Sequence, residues 1–234
     1  MSARVTTTGA PRNADQLRIQ RSCVTATHDG RQVLRTAAVG KNDAEWFERH
    51  GFVVVQHLVV LRRDLDDITS LLHHSPSAGV EVSSHTFARR LARRTDRAMG
   101  DALVALDATG FGGDWRLTVD ALLHACRSTP THRVVVAHQL GVDSTVPLGY
   151  AVVGVAYEAA YLQRLVVTPE HRGRRIATTL VIAGMTWARA TGARRMLVNT
   201  EPHNSAALAL YRSLGFTTDA DGLVVLEREA SDDS

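Results

Sequence analysis

Cysteine is scarce in this 234-residue chain: Cys23 and Cys126 are the only two, and they are not in Cys-x-x-Cys spacing. That excludes a disulfide framework and a thiolate zinc site. No apolar run reaches the length of a membrane span, and the opening Met-Ser-Ala-Arg-Val-Thr-Thr-Thr-Gly lacks the hydrophobic stretch of a signal peptide, so a cytoplasmic protein with no membrane partner is expected. The net charge of +3 and pI near 9.2 are mild for a nucleic-acid binder. The eleven histidines are scattered, and their one doublet, His73-His74, lies in a Ser/Pro/Gly stretch that suits a solvated pair; no metal site is expected. Arg89, Arg90, Arg93, Arg94 and Arg97 would share one helix face, which reads as a solvated surface rather than as a nucleic-acid interface.

The length allows one large core or two small ones, and 44% hydrophobic content is ordinary for a globular protein. Leu71 to Gly79, rich in Ser, Pro and Gly, is the best linker candidate and divides the chain into residues 1–75 and 80–234. Beyond it the pattern predicts a strand near Val80–Ser83, a helix from about Thr86 to Leu106, and a glycine-rich non-helical stretch over Asp107–Trp115. A helix over Thr118–Arg127 follows, then strands at about Arg133–His138, Pro147–Glu158 and Tyr161–Val167. Further on come a helix over Arg174–Thr191 stopped by Gly192, a buried strand over Met196–Asn199, a helix over Asn204–Leu214 stopped by Gly215, and a last strand at Leu223–Leu226.

The chemistry is concentrated where the apolar strand Tyr161–Thr168 runs through Pro169-Glu-His-Arg-Gly-Arg-Arg-Ile-Ala177 into a helix. First-turn N–H groups have no partner inside a helix and the macrodipole makes that end partly positive, so backbone donors with Arg172, Arg174 and Arg175 suit a diphosphate. On the strand, alternation predicts that Gln163 and Arg164 face opposite sides, one of them toward a substrate cleft.

A second signal is internal similarity. Trp46-Phe-Glu-Arg-His-Gly-Phe52 followed by Leu58-Val-Val-Leu-Arg-Arg63 parallels Leu210-Tyr-Arg-Ser-Leu-Gly-Phe216 followed by Leu223-Val-Val-Leu-Glu-Arg228, some 164 positions later. Residues 1–75 therefore read as a degenerate copy of half of the later domain, with Phe47 in the place of Tyr211, no arginine-rich loop and a structural role.

Arg172-Gly-Arg-Arg-Ile-Ala177, the strand Leu165–Pro169 before it, and Asn204 through Phe216 after it resemble, in this order, the motifs of the GNAT N-acetyltransferases; the resemblance covers roughly Val80 to Arg228. The partial repeat is similar to that of tandem GNAT proteins such as mycothiol synthase. The resemblance implies an α/β fold with a central, mixed but mostly antiparallel sheet flanked by helices, and transfer of an acetyl group from acetyl-CoA to a primary amine by direct attack in a ternary complex. It further implies that Leu165, Val166 and Val167 pair with the pantetheine arm, that Arg172, Gly173, Arg174, Arg175, Ile176 and Ala177 hold the diphosphate, that Asn204 meets the pantetheine side, and that Tyr211 protonates the departing thiolate. From the residues alone, Tyr211 is equally a core residue of an amphipathic helix and Asn204 a helix N-cap.

Two positions depart from the family pattern. Arg175 stands where the family has glycine, and Asn199 where ribosomal N-terminal alanine acetyltransferases have glutamate. Asparagine cannot take a proton, which leaves Glu201, Glu170, His203, Tyr161 or a water chain as base. Phe111 and Trp115 either line the acceptor site or form a hydrophobic plug. The acceptor is left open by the sequence: a small amine, an amino sugar or thiol precursor, or a protein N-terminus all fit. A catalytically weak acyl-CoA-binding sensor or partner-binding module is the alternative function.

Overall fold

The computed structural model describes residues 3–4, 23–28, 31–68, 71, 77–87, 94–111, 117–141 and 146–230. In chain order its elements are β1 (Ala3–Arg4), β2 (Cys23–His28), β3 (Arg31–Thr36), α1 (Lys41–Arg49), β4 (Val53–Asp64), β5 (Val80–His85), α2 (Arg94–Gly110), α3 (Val119–Arg127), β6 (Thr131–Gln139), β7 (Gly149–Ala156), β8 (Ala159–Val167), a 3-10 turn at Pro169–His171, α4 (Ile176–Ala190), β9 (Arg195–Thr200), α5 (Ser205–Ser213), β10 (Thr217–Thr218) and β11 (Leu223–Glu229). They divide into a smaller unit, Met1–Val60 with Asn199–Ser205 and Thr218–Ser234, and a larger one, Leu61–Val198 with Ala206–Thr217.

In the smaller unit β1, β2, β3, β11 and β4 are neighbours in that order, with antiparallel pairing throughout. The amphipathic helix α1 buries Ala44 and Phe47 against Cys23, Leu34, Phe52 and Leu226. It ends at Gly51 with φ of 80°, a left-handed conformation that costs glycine little. The Phe52 N–H then returns to the Phe47 carbonyl at 3.2 Å.

The larger unit is built on the antiparallel run β5-β6-β7-β8, to which β9 adds in parallel. β7 is buried along almost its whole length because both faces are covered. Tyr150, Val152, Val134, Val136 and Val166 pack against Leu103 and Leu106 of α2 and Leu122, Leu123 and Cys126 of α3. On the other face α4 approaches so closely that a Cβ at Gly184 would stand 2.8 Å from Val153, and one at Gly149 would stand 3.3 Å from Leu180. The architecture is thus mixed α/β, a central and mostly antiparallel sheet flanked by helices. Among the described residues no helix is long and apolar enough to cross a membrane.

Most elements lie where the hydrophobic periodicity places them; the first helix of the larger unit differs at both ends. It is not helical at Thr86 and Phe87, which directly follow β5, and Phe87 is buried in the α2–α3 cluster. Residues 88–93, which include Arg89, Arg90 and Arg93, lie outside the described residues, while Arg94 and Arg97 are exposed on α2. The same helix runs on to Gly110, where a glycine-rich loop was expected from Asp107, and the Phe111 N–H still donates to the Asp107 carbonyl at 3.0 Å. Tertiary contacts outweigh the glycine there, since Asp107 is wholly buried and engaged from the sheet. His73 and His74 lie outside the described residues, whereas the last part of the linker candidate is ordered: Ser77–Val80 is a turn closed by the Val80 N–H on the Ser77 carbonyl, with Gly79 at φ of 72°.

Candidate functional site

The pairing of β8 defines the site. Toward β7 its ladder runs the full length of the strand, whereas toward β9 it covers only Ala159↔Arg195, Ala160↔Met196 and Tyr161↔Leu197. The Thr168 N–H donates to the Leu148 carbonyl beside the pair Gly149↔Val167, so by alternation the backbone groups of Val166 face β7. Those of Leu165 and Val167 face the side that β9 has left, where the described residues offer no strand partner. The Val167 carbonyl lies 3.4 Å from Arg172 Nε.

Gly149 admits the close approach of β7 at this point, since a Cβ there would stand 2.7 Å from the Val166 carbonyl oxygen. One residue of β8 has no opposite number: Val152 pairs with Arg164 and Val153 with Leu162, leaving Gln163 as a bulge. The expected alternation of Gln163 and Arg164 fails for that reason. Gln163 Nε2 donates to Ser128 Oγ at 2.7 Å beyond α3, and Arg164 reaches Asp107 on α2, so both lie on the α2–α3 face of the sheet.

Arg164 and Asp107 form a buried cluster that the sequence pattern did not single out. Asp107 accepts from Arg164 Nε at 2.8 Å and Nη2 at 2.6 Å, from the Tyr150 hydroxyl at 2.7 Å and from the Leu117 N–H at 3.0 Å. The Arg164 guanidinium also stacks 3.5 Å from the centroid of Phe111. Burial first, and then the Asp107 charge, raise the Tyr150 phenol above its ordinary range, so it stays a donor. The cluster ties both ends of the 111–117 segment to β8; Trp115 lies outside the described residues.

After Val167 the chain makes its 3-10 turn and passes through Gly173 at φ of 76° and Arg175 at φ of 61° before α4 begins. Arg175 is the N-cap of α4 and makes no side-chain cap. A left-handed backbone costs a residue bearing a Cβ roughly 1–2 kcal/mol, which accounts for the glycine that the resembling family has at this position. Alternating conformations of this kind turn successive N–H groups into a concavity suited to anions. Arg172, Gly173, Arg174 and Arg175 are exposed, Ile176 is buried and Ala177 is half-buried.

Tyr211 lies on α5 with 5% exposure, 5.6 Å from Phe216 between ring centroids, and burial raises its phenol above the ordinary range. Asn204 precedes α5, and its N–H donates to the Glu201 carbonyl at 3.1 Å. Among the base candidates, Glu170 is exposed on the 3-10 turn and Tyr161 is 40% exposed at the last position of β8 that pairs with β9. Glu201 and His203 form a 2.9 Å pair, and Gln56 Nε2 donates to the same carboxylate. Among the described residues, no group of three or more acidic, His or Cys side chains is arranged to hold a metal ion.

A mostly antiparallel sheet whose parallel last strand parts from its neighbour ahead of a glycine-containing turn and a helix is a GNAT fold. Residues 101–216, just under half of the chain, match the Acetyltransferase (GNAT) family. It is 38% identical over 56 residues to the uncharacterized N-acetyltransferase YobR of Bacillus subtilis, covering 24% of this chain and 23% of YobR. It is also 38% identical over 56 residues to N-alpha-acetyltransferase 30 of Schizosaccharomyces pombe, covering 24% of this chain and 37% of that protein. The chain thus spans well under half the length of these relatives. Among solved structures, a tandem GNAT protein from the clavulanic acid biosynthesis pathway aligns with a TM-score of 0.59 at 18% identity, covering 94% of this chain and 69% of its own, and a GCN5-related N-acetyltransferase from Sphaerobacter thermophilus with 0.53 at 19% identity, covering 85% and 60%. At such identities these likenesses concern the fold.

Proposed function

We propose that this chain transfers an acetyl group from acetyl-CoA to a primary amine by direct attack in a ternary complex. The observation that carries this reading is the parting of β8 from β9 after Tyr161↔Leu197, just ahead of the left-handed turn at Gly173 and Arg175. An extended ligand with amide groups pairs with an unpartnered strand edge as another strand would, and Leu165 and Val167 offer that edge while Val166 holds β8 to β7. Arg172, Arg174 and Arg175, with the N–H groups of the turn and of Ile176 and Ala177, suit the diphosphate. When bound, acetyl-CoA supplies an acetyl thioester. The part of the chain is to orient it and to hold a proton at the Tyr211 hydroxyl for the leaving thiolate; a phenol kept protonated by burial serves as that acid. A base among Glu170, Glu201, His203 and Tyr161 takes the amine proton, and single substitutions read as kcat/KM against pH assign it.

The acceptor class is a small amine or a protein N-terminus. The second choice is supported by a relative named an N-alpha-acetyltransferase and by a 25% identity over 116 residues to a Bacillus subtilis protein whose proposed substrate is the alanine of ribosomal protein bS18. A cytoplasmic location belongs to this reading and is supported by the two buried free thiols. The segment up to residue 75 is assigned as a degenerate half-repeat: in both copies a helix ends at a left-handed glycine, Gly51 or Gly215, and the next Phe N–H returns to the carbonyl of Phe47 or Tyr211.

Calorimetric titration with acetyl-CoA tests the site. Micromolar binding, weakened about tenfold by Arg172→Ala or Arg174→Ala, is expected from the loss of one charge-assisted contact each. Thiol release with a panel of amines then separates the enzyme from an acyl-CoA-binding module. The module reading draws on Arg175 at a backbone position that favours glycine; it predicts binding without release under any amine.

A further inference from the structure

The turn that leads into α4 is held in part by a residue from a distant segment of the chain. Its strained residue, Arg175, has no side-chain cap, and the flanking Arg172, Gly173 and Arg174 are exposed. Besides the contacts within the turn and α4, two come from Ser77, some hundred residues earlier and outside the 101–216 span that matches the family. Ser77 is 7% exposed. Its hydroxyl donates to the Arg174 carbonyl at 2.6 Å, and its N–H donates to Thr179 Oγ1 at 3.2 Å. Thr179 Oγ1 in turn donates to the Arg175 carbonyl at 3.1 Å, which also accepts the Thr179 N–H at 3.0 Å. Two successive carbonyls of the turn are therefore set, one by Ser77 and one by a hydroxyl that Ser77 positions.

Carbonyl orientation decides N–H orientation. In a trans peptide the C=O and the following N–H are antiparallel, and the described residues contain no cis bond. With the Arg174 carbonyl drawn to Ser77, the Arg175 N–H points away from Ser77; with the Arg175 carbonyl directed down the helix to Thr179, the Ile176 N–H points out of the helix end. These are two of the donors assigned above to the diphosphate. Ser77 itself is rigidly placed: its carbonyl accepts the Val80 N–H at 3.1 Å, and the Gly79 carbonyl accepts the Leu140 N–H at 2.8 Å, which fastens the turn to the end of β6.

We infer that Ser77 is a positioning residue of the cofactor site, a clamp from outside the family segment that sets the N–H groups of Arg175 and Ile176 toward the diphosphate of acetyl-CoA. The inference rests on the acetyl-CoA reading for its ligand, and on geometry alone for the clamp. Without the hydroxyl the Arg174–Arg175 peptide is free to rotate and relieve the left-handed residue, so each binding event must restore the donor arrangement.

The experiment compares the intact protein with Ser77→Ala and, as a second route to the same loss, Thr179→Val. Amide hydrogen exchange of residues 171–179 is measured without ligand, and CoA affinity, KM for acetyl-CoA and kcat are measured alongside. Faster exchange confined to this turn, a five- to tenfold weaker CoA Kd with a matching rise in KM for acetyl-CoA, and kcat within about twofold are expected for both variants. The double variant should be little worse than either single one, because the two hydroxyls act in one chain of contacts. A uniform fall in kcat with unchanged KM, or exchange and CoA affinity equal to those of the intact protein, overturns the clamp. Absence of CoA binding in the intact protein overturns the acetyl-CoA reading instead, and the exchange data then decide the clamp by themselves.

Discussion

Replacing Asp107 by alanine should be among the most damaging single changes in the larger unit. The carboxylate is wholly buried and takes two bonds from Arg164, one from the Tyr150 hydroxyl and one from the Leu117 N–H. Its removal takes the Asp107 carboxylate away from a cationic side chain that is itself only 13% exposed. Breaking a buried ion pair by deleting one member costs about 3–5 kcal/mol. The Tyr150 hydroxyl, losing an acceptor in a dry site, would add about 1 kcal/mol taken alone. Because the contacts share one carboxylate they are not additive, and a total near 4 kcal/mol is expected. In a chain of this size that corresponds to a fall in Tm of roughly 8–16 °C. Circular dichroism during heating and in urea measures it. Tyr150→Phe should cost only about 1 kcal/mol. Asp107→Leu combined with Arg164→Met should be milder than Asp107→Leu alone, since no charge is then left in the cluster. A loss below about 1 kcal/mol for Asp107→Ala, or a double variant no milder than the single one, would refute the assignment of this network as a buried ionic anchor.

Two further outcomes follow from the geometry. Arg175→Gly removes the left-handed strain and should raise stability by about 1 kcal/mol, a gain of some 3 °C in Tm, whereas Arg175→Val should lower it; calorimetric melting distinguishes the two. Tyr211→Phe keeps the ring in its pocket and removes the proton, so kcat should fall at least about 100-fold with CoA affinity unchanged. Because burial raises the Tyr211 phenol, the intact protein, on the acetyltransferase reading, should show no loss of kcat from this group as pH rises to about 10, its ordinary value. Unchanged turnover in Tyr211→Phe across that range would confine the residue to the core.

What the sequence determined by itself is the local, periodic part of this protein. The apolar run of β8, the 3.6-residue pattern of α4 and α5, and the glycines that end α1 and α5 are encoded in neighbouring residues, so element type and order could be read without a fold. The arginine-rich turn was legible for the same reason, as a glycine and three arginines at a strand-to-helix junction. Tertiary structure decided what depends on two distant segments at once. The bulge at Gln163 is a mismatch of register between β7 and β8, and no pattern within β8 alone contains it. The helical extension through Gly110 depends on Asp107 meeting Arg164, 57 residues away, at a gain that outweighs the low helix propensity of the glycine. Ser77 reads as part of a linker until the fold brings it within 2.6 Å of the Arg174 carbonyl. Periodicity records which face of an element is buried, but not which partner it is buried against, because a hydrogen bond or ion pair forms only where the folded chain places donor and acceptor within about 3 Å.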